Sequence, residues 1–110
     1  MTRDAVTTKA AHSFYAAERL HAALDDLGIA ADVHTGYGIA LVSVWVDLVV
    51  WSDGHLYWWW SGRRSRQRGR WLYLVHSADD PAAAARRVAV RYGQLRECHP
   101  LSALIAEIAS

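Results

Sequence analysis

The chain has 110 residues, 53% of them apolar, and a formal net charge of +1. That size and composition support one continuous core, and the near-neutral charge supplies no global pull toward nucleic acid or an anionic membrane. Cys98 is the single cysteine, which excludes an internal disulfide framework and a multi-thiolate zinc site, so the expected home is the reducing cytoplasm.

Met1 to Ala11 carries Arg3, Asp4 and Lys9 without the apolar stretch of a secretory leader, and is expected to be flexible. From His12 to Leu27 the sequence reads as a helix, because Ala16, Ala17, Leu20, Ala23, Leu24 and Leu27 form one stripe at about 100° per residue. Gly28 supplies its stop. Phe14 and Tyr15 lie off the stripe. Ala31 to His34 reads as a short strand, followed by the turn residues Thr35-Gly36-Tyr37-Gly38.

Ile39 to Trp51 carries the strongest strand signal, with Ala40, Val42, Val44, Val46, Leu48 and Val50 on a core side and Leu41, Ser43, Trp45, Asp47, Val49 and Trp51 on the other. Thirteen residues is long for one strand, and a bulge near Trp45 to Asp47 is expected to interrupt it. Asp53-Gly54 predicts a two-residue type I′ hairpin turn. That turn sets Val50 opposite Tyr57 and Leu48 opposite Trp59, placing Tyr57 and Trp59 in the core and Leu56, Trp58 and Trp60 on the opposite side. Trp71 to His76 forms the next strand. Pairing of Trp60 with Trp71 assigns Leu72 and Leu74 to the core and Trp71, Tyr73 and Val75 to the other face.

Asp80-Pro81 predicts a helix start, aspartate as N-cap and proline where no amide hydrogen is needed. The helix runs to about Glu97 with Ala84, Ala85, Val88, Tyr92 and Leu95 inward, and His99-Pro100 ends it. Leu101 to Ala109 follows as a short amphipathic segment. The order α-β-β-β-β-α-α implies a single α+β domain over residues 1–110. Its expected architecture is a two-layer sandwich: an antiparallel sheet of three to four strands with the helices on one face.

The candidate site is the other face. Trp45, Trp51, Trp58, Trp60, Trp71 and Tyr73 share it, flanked by Arg63, Arg64, Arg66, Arg68 and Arg70 in a basic loop. Aromatic rings beside guanidinium groups grip single-stranded nucleic acid by stacking and charge neutralisation. The competing use of such a face is burial, either beneath the C-terminal segment or in a homodimer that pairs the two sheet faces. Asp47, a carboxylate in an apolar strand opposite Trp60, is expected to find a partner in Arg63 or Arg70, with a ligand-binding or catalytic role as the alternative. The six histidines lack metal-ligand spacing. None of Ser43, Ser52, Ser61 and Cys98 sits in a nucleophile turn with an identifiable base. No metal or other cofactor is expected.

The run from Asp32 through Gly54, Asp-Val-His-Thr-Gly-Tyr-Gly followed by the valine- and tryptophan-rich strand, resembles small uncharacterised proteins of actinobacteria, and that resemblance implies no particular activity. The order helix, three strands, helix also resembles a double-stranded RNA-binding domain, but Asp79, Asp80 and Pro81 stand where that family places lysines. The expected function is a non-enzymatic accessory or regulatory binding protein, homodimeric, acting through the aromatic face and the arginine hairpin. Nucleic-acid binding by the same surface is the first alternative, and a small-molecule site or enzyme centre near Asp47 the second. Protein partners are compatible with the leading reading; a membrane partner is not expected, because the longest apolar run is too short to span.

Overall fold

The computed structural model describes residues 2–36, 38–67 and 69–98, and in it the chain runs α1 (Thr2–Asp26), β1 (Asp32–Gly36), β2 (Ile39–Trp45), β3 (Leu48–Ser52), β4 (Leu56–Arg64), β5 (Trp71–Ser77) and α2 (Pro81–Cys98). The strands form one antiparallel sheet in chain order, each joined to the next by a hairpin connection. The α+β class and the antiparallel sheet match the sequence reading, but the strands number five rather than three to four. The expected stop at His99-Pro100 and the segment 101–109 lie outside the described residues.

Helix α1 starts at Thr2, ahead of the predicted His12. Residues 2–11 contain neither glycine nor proline, so a helix anchored by packing further along propagates back through them at little cost per residue. Ala16, Ala17, Leu20 and Leu24 are buried along the predicted stripe, whereas Phe14 and Tyr15 face outward. Gly28 adopts φ 77° and closes a Schellman motif: its amide donates to Asp25 O and the Ile29 amide to Leu24 O, both at 2.9 Å. Helix α2 is capped as the sequence implies, with the Ala83 amide donating to Asp80 Oδ1 at 3.1 Å.

The predicted thirteen-residue strand is a hairpin, turning at Val46 and Asp47. Asp47 takes φ 63°, a left-handed conformation that aspartate tolerates better than most residues. A two-residue turn pairs Trp45 with Leu48, which by itself would set odd positions of β2 against even positions of β3. The bulge between Ser43 and Trp45 absorbs one residue, so Val42 meets Val50 and Ala40 meets Ser52. Even positions therefore stay on one face in both strands, and Ala40, Val42, Val44, Leu48, Val50 and Ser52 are all buried.

The β3–β4 register also differs from the sequence reading. Ser52 pairs with Tyr57 and Trp51 with Trp58, a shift of two positions. Asp53 Oδ1 accepts the amides of His55 at 2.9 Å and Leu56 at 3.0 Å, so the connection is a longer side-chain-stabilised turn in which only Gly54, at φ 97°, is left-handed. Partial burial raises the Asp53 carboxyl, but those two amides and the His55 charge outweigh it and hold the group below its ordinary value. Trp60 likewise pairs with Tyr73 rather than Trp71, with a bulge between Trp60 and Arg63. Both corrections are slips of two, one full strand period, so every inward residue remains inward.

Both helices cover the same face. Their buried alanines, leucines and Val88 meet Val42, Val50, Tyr57 and Trp59 in a single core. The Tyr57 hydroxyl donates to Ala16 O of α1 at 2.6 Å, which ties the middle of the sheet to the middle of the helix. Burial pushes the Tyr57 phenol up to about 12, a rise that the nearby Arg19 charge only partly opposes.

Two predictions follow from these contacts. Because the folded state holds the Tyr57 proton more tightly than the unfolded chain does, its stabilisation is complete below the ordinary tyrosine value of 10.0 and is lost as pH climbs toward about 12. Urea unfolding across that window should show stability falling by up to ~1.4 kcal/mol per pH unit, and Tyr57→Phe should flatten the slope. A Cβ added at Gly54 would lie 2.8 Å from His12 Cβ in a left-handed backbone, whereas Gly93, in α2, has open space around it. Gly54→Ala should destabilise by more than ~1 kcal/mol and Gly93→Ala should stabilise by about 0.5–1 kcal/mol, read from the same denaturation curves.

Candidate functional site

Strand alternation delivers the odd positions of β2 and β3, the even positions of β4 and the odd positions of β5 to the face that the helices leave bare. One transverse row crosses the whole sheet: His34, Leu41, Trp51, Trp58 and Val75, each directly opposite the next. Beside it Trp60 faces Tyr73, and Trp71 faces Arg64 at the extended end of β4–β5. Trp51 is 38% exposed, Trp71 48%, Tyr73 52% and Val75 51%, while Trp58 and Trp60 are half-buried. Five of the six predicted aromatic residues are thus gathered on one open surface.

Trp45 is the exception. The bulge that follows Ser43 sends Trp45 with Leu48 to the helix side, where its ring meets Tyr92 edge-on at 5.8 Å and lies 5.9 Å from the Arg96 guanidinium. It packs against the core and takes no part in the open face. Asp47 also moves: it is exposed in the β2–β3 turn, not held in a strand opposite Trp60, and so needs no buried partner.

The arginine end is built around a ring stack. Trp60 and Trp71 lie with centroids 4.1 Å apart and tilted by 47°, and Arg64 Cζ sits 4.7 Å from the centroid of Trp71. The Trp60 indole donates to Arg63 O at 3.0 Å, which fixes the chain just past the bulge. Arg63, Arg64, Arg66 and Arg70 are exposed, and Arg68 lies outside the described residues. The structure therefore joins the predicted aromatic and basic groups through one guanidinium–indole–indole contact.

Two further cations, Arg87 and Arg91, come from α2. In the structure they face the β4–β5 hairpin. Arg87 Nη1 lies 3.1 Å from both Val75 O and His76 Nδ1, and the Arg91 guanidinium packs over Gly62. The available signal was their four-residue spacing on α2 combined with a glycine in the facing strand. Among the described residues, no three His, Cys, Asp or Glu side chains gather closely enough to share a metal ion, and no helix is long and apolar enough to cross a membrane. No family model, curated protein or solved structure matches the chain.

The two classes of tryptophan should respond differently to truncation. Trp59→Ala, emptying a fully buried site, should cost about 3–5 kcal/mol. Trp71→Ala, which removes a half-exposed ring and its stacking on Trp60, should cost about 1.5 kcal/mol or less. Chemical denaturation of both variants checks the contrast, and equal losses would contradict an open face.

Proposed function

We propose that this chain is a non-catalytic binding module, accessory or regulatory in role, whose working surface is the bare aromatic face of the sheet and whose occupant there is a second copy of itself. The observation that carries this reading is the exposure of Trp51, Trp71, Tyr73 and Val75 on one contiguous face. Monomers rarely expose continuous apolar patches beyond a few hundred Å². Five strands ~4.8 Å apart and about seven residues long present a footprint of roughly 550 Å². Protruding indole rings raise the accessible area toward the ~800 Å² per partner of a standard interface.

Charge placement supports a twofold arrangement. Asp32, Asp47 and the arginine loop all lie at the same end of the sheet, Asp32 on the open side of edge strand β1 and the arginines at the end of the β4–β5 hairpin, at the opposite edge. A twofold axis parallel to the strands brings β1 of one copy over β5 of the other with like ends aligned. Asp32 then faces the Arg64 end of its partner, while the uncharged centre packs ring against ring. The two perturbed titrations bear on the non-catalytic part of the reading: Tyr57 is tied to a helix carbonyl and Asp53 to turn amides, so the fold itself accounts for both.

The second reading is single-stranded nucleic acid on the same face. It is favoured by the Arg64–Trp71–Trp60 stack, which sets a stacking platform beside a phosphate-binding charge. Sedimentation equilibrium decides the first reading: the wild type should be dimeric and Trp51→Arg monomeric with an unchanged circular dichroism spectrum. A monomeric wild type rules out the dimer. Titration with single-stranded DNA and RNA at two salt concentrations decides the second, which requires salt-dependent binding that disappears when Arg63, Arg64, Arg66 and Arg70 are neutralised.

A further inference from the structure

The helix-side surface of β4–β5 is not completely covered. Past the bulge between Trp60 and Arg63 the hairpin overhangs α2, and Leu72, predicted to be core, is 44% exposed although it lies on the same side as Leu74. A cleft of about 370 Å³ opens between this overhang and the flank of α2 that carries Arg87, Val90, Arg91 and Gln94. Those four residues recur at spacings of three and four, so they form one stripe along the helix. The aliphatic surface of the cleft comes from Leu72, Leu74 and Val90, the last 63% exposed, and Ser61 and Tyr73 of the hairpin complete its wall.

Three cations line the same space. Arg63 enters from β4 and Arg87 and Arg91 from α2. The hydrogen-bond partners of the two helix arginines include no carboxylate: Val75 O and His76 Nδ1 for Arg87, and Gln94 Oε1 for Arg91. The buried Nε of Arg91 has no acceptor among the described residues. Arg91 is also held in place. Gly62 is left-handed at φ 86°, and a Cβ there would fall 2.6 Å from Arg91 Cζ, so the bulge is shaped to receive that guanidinium. A cation fixed in this way loses little further freedom when it binds.

We infer that this cleft binds a small amphipathic anion, an oxyanion group carried on an aliphatic body. Guanidiniums that meet no carboxylate among the described residues repel one another in one cleft until an anion joins them, and their planar forks suit carboxylate and phosphate oxygens. The exposed leucines and valine beside them would otherwise stay wet. The volume lies at the small end of the ~300–1,000 Å³ range of ligand pockets and is far too small for a folded partner. Tyr73 also borders the cleft, but strand alternation directs its ring to the open face opposite Trp60, which separates this site from the aromatic face on the other side of the same strands.

Isothermal titration calorimetry of the full chain tests the inference, with octanoate and octyl phosphate as probes below their micelle concentrations. Acetate and inorganic phosphate represent the head groups alone, and octanol the body alone. At least one amphipathic anion should saturate a single site per chain and bind about tenfold or more tighter than its separated parts; whichever anion binds tighter identifies the head group. Arg87→Gln and Arg91→Gln should each weaken binding about tenfold, the worth of one charge-assisted hydrogen bond. Leu72→Asn should weaken it, whereas Trp51→Arg should leave it unchanged, which separates this site from the sheet face. Arg63→Gln, exposed on the hairpin, provides a variant with no burden on folding. The inference is overturned if neither anion gives saturable binding, if octanol binds as well as the anions, or if folded Arg63→Gln and Arg87→Gln both bind like the wild type.

Discussion

Tyr57 and Trp59 project from successive inward positions of β4 into the space beneath the two helices, and both are completely buried. They are the bulkiest fully buried side chains among the described residues, and the Tyr57 hydroxyl is bonded to a carbonyl of α1. Everything else packs around these two rings. Small residues on the helices, Ala16, Ala17, Ala84 and Ala85, let the backbones approach the aromatic pair, while Val42, Val50 and Leu48 fill the space beside it. Arg87, 5.5 Å from the ring of Trp59, closes one end and also reaches the carbonyl of edge-strand residue Val75.

With that face of β4 committed to the core, alternation forces Trp58 and Trp60 the other way. This is why the described residues carry an aromatic surface that they do not cover. The bulges then divide the surface. The one after Ser43 removes Trp45 from it and uses the ring to anchor the far end of α2 through Tyr92. The one after Trp60 lengthens the hairpin beyond the helices, and so creates both the exposed arginine end and the overhang above α2.

Much of this was legible in the sequence because strand and helix periods are read from parity and stripe, and both survive errors in length. The caps at Gly28 and Asp80, the inward stripe of α2 and the inward placement of Tyr57 and Trp59 all depend only on local chemistry. The hairpin at Val46-Asp47 was not legible. Its turn contains no glycine or proline, and valine there continues the apolar pattern, so only the suspicious length of the run marked it. Trp45 was misplaced for the same reason, since one bulged residue moves a side chain to the opposite face. The cleft was out of reach because it arises where Gly62, Leu72 and Arg91 meet, and that meeting depends on how far a hairpin extends past a helix distant in sequence.

Strand β5 belongs to two surfaces at once. Trp71, Tyr73 and Val75 point to the bare face, and Leu72 and Leu74 to the cleft, through nothing more than the two-residue period of an extended chain. The arginines divide the same way. Arg64 lies against the ring of Trp71, so a partner docking over that ring must displace a guanidinium, whereas Trp51 and Val75 offer uncharged contact at the centre. On the proposed binding reading, initial apolar contact belongs to the middle of the sheet and charge discrimination to its end. Arg63, one residue earlier, lies past the bulge among the groups of the cleft. Neighbouring cations of one basic run thus face chemically different surroundings, aromatic on one side of the hairpin and aliphatic on the other.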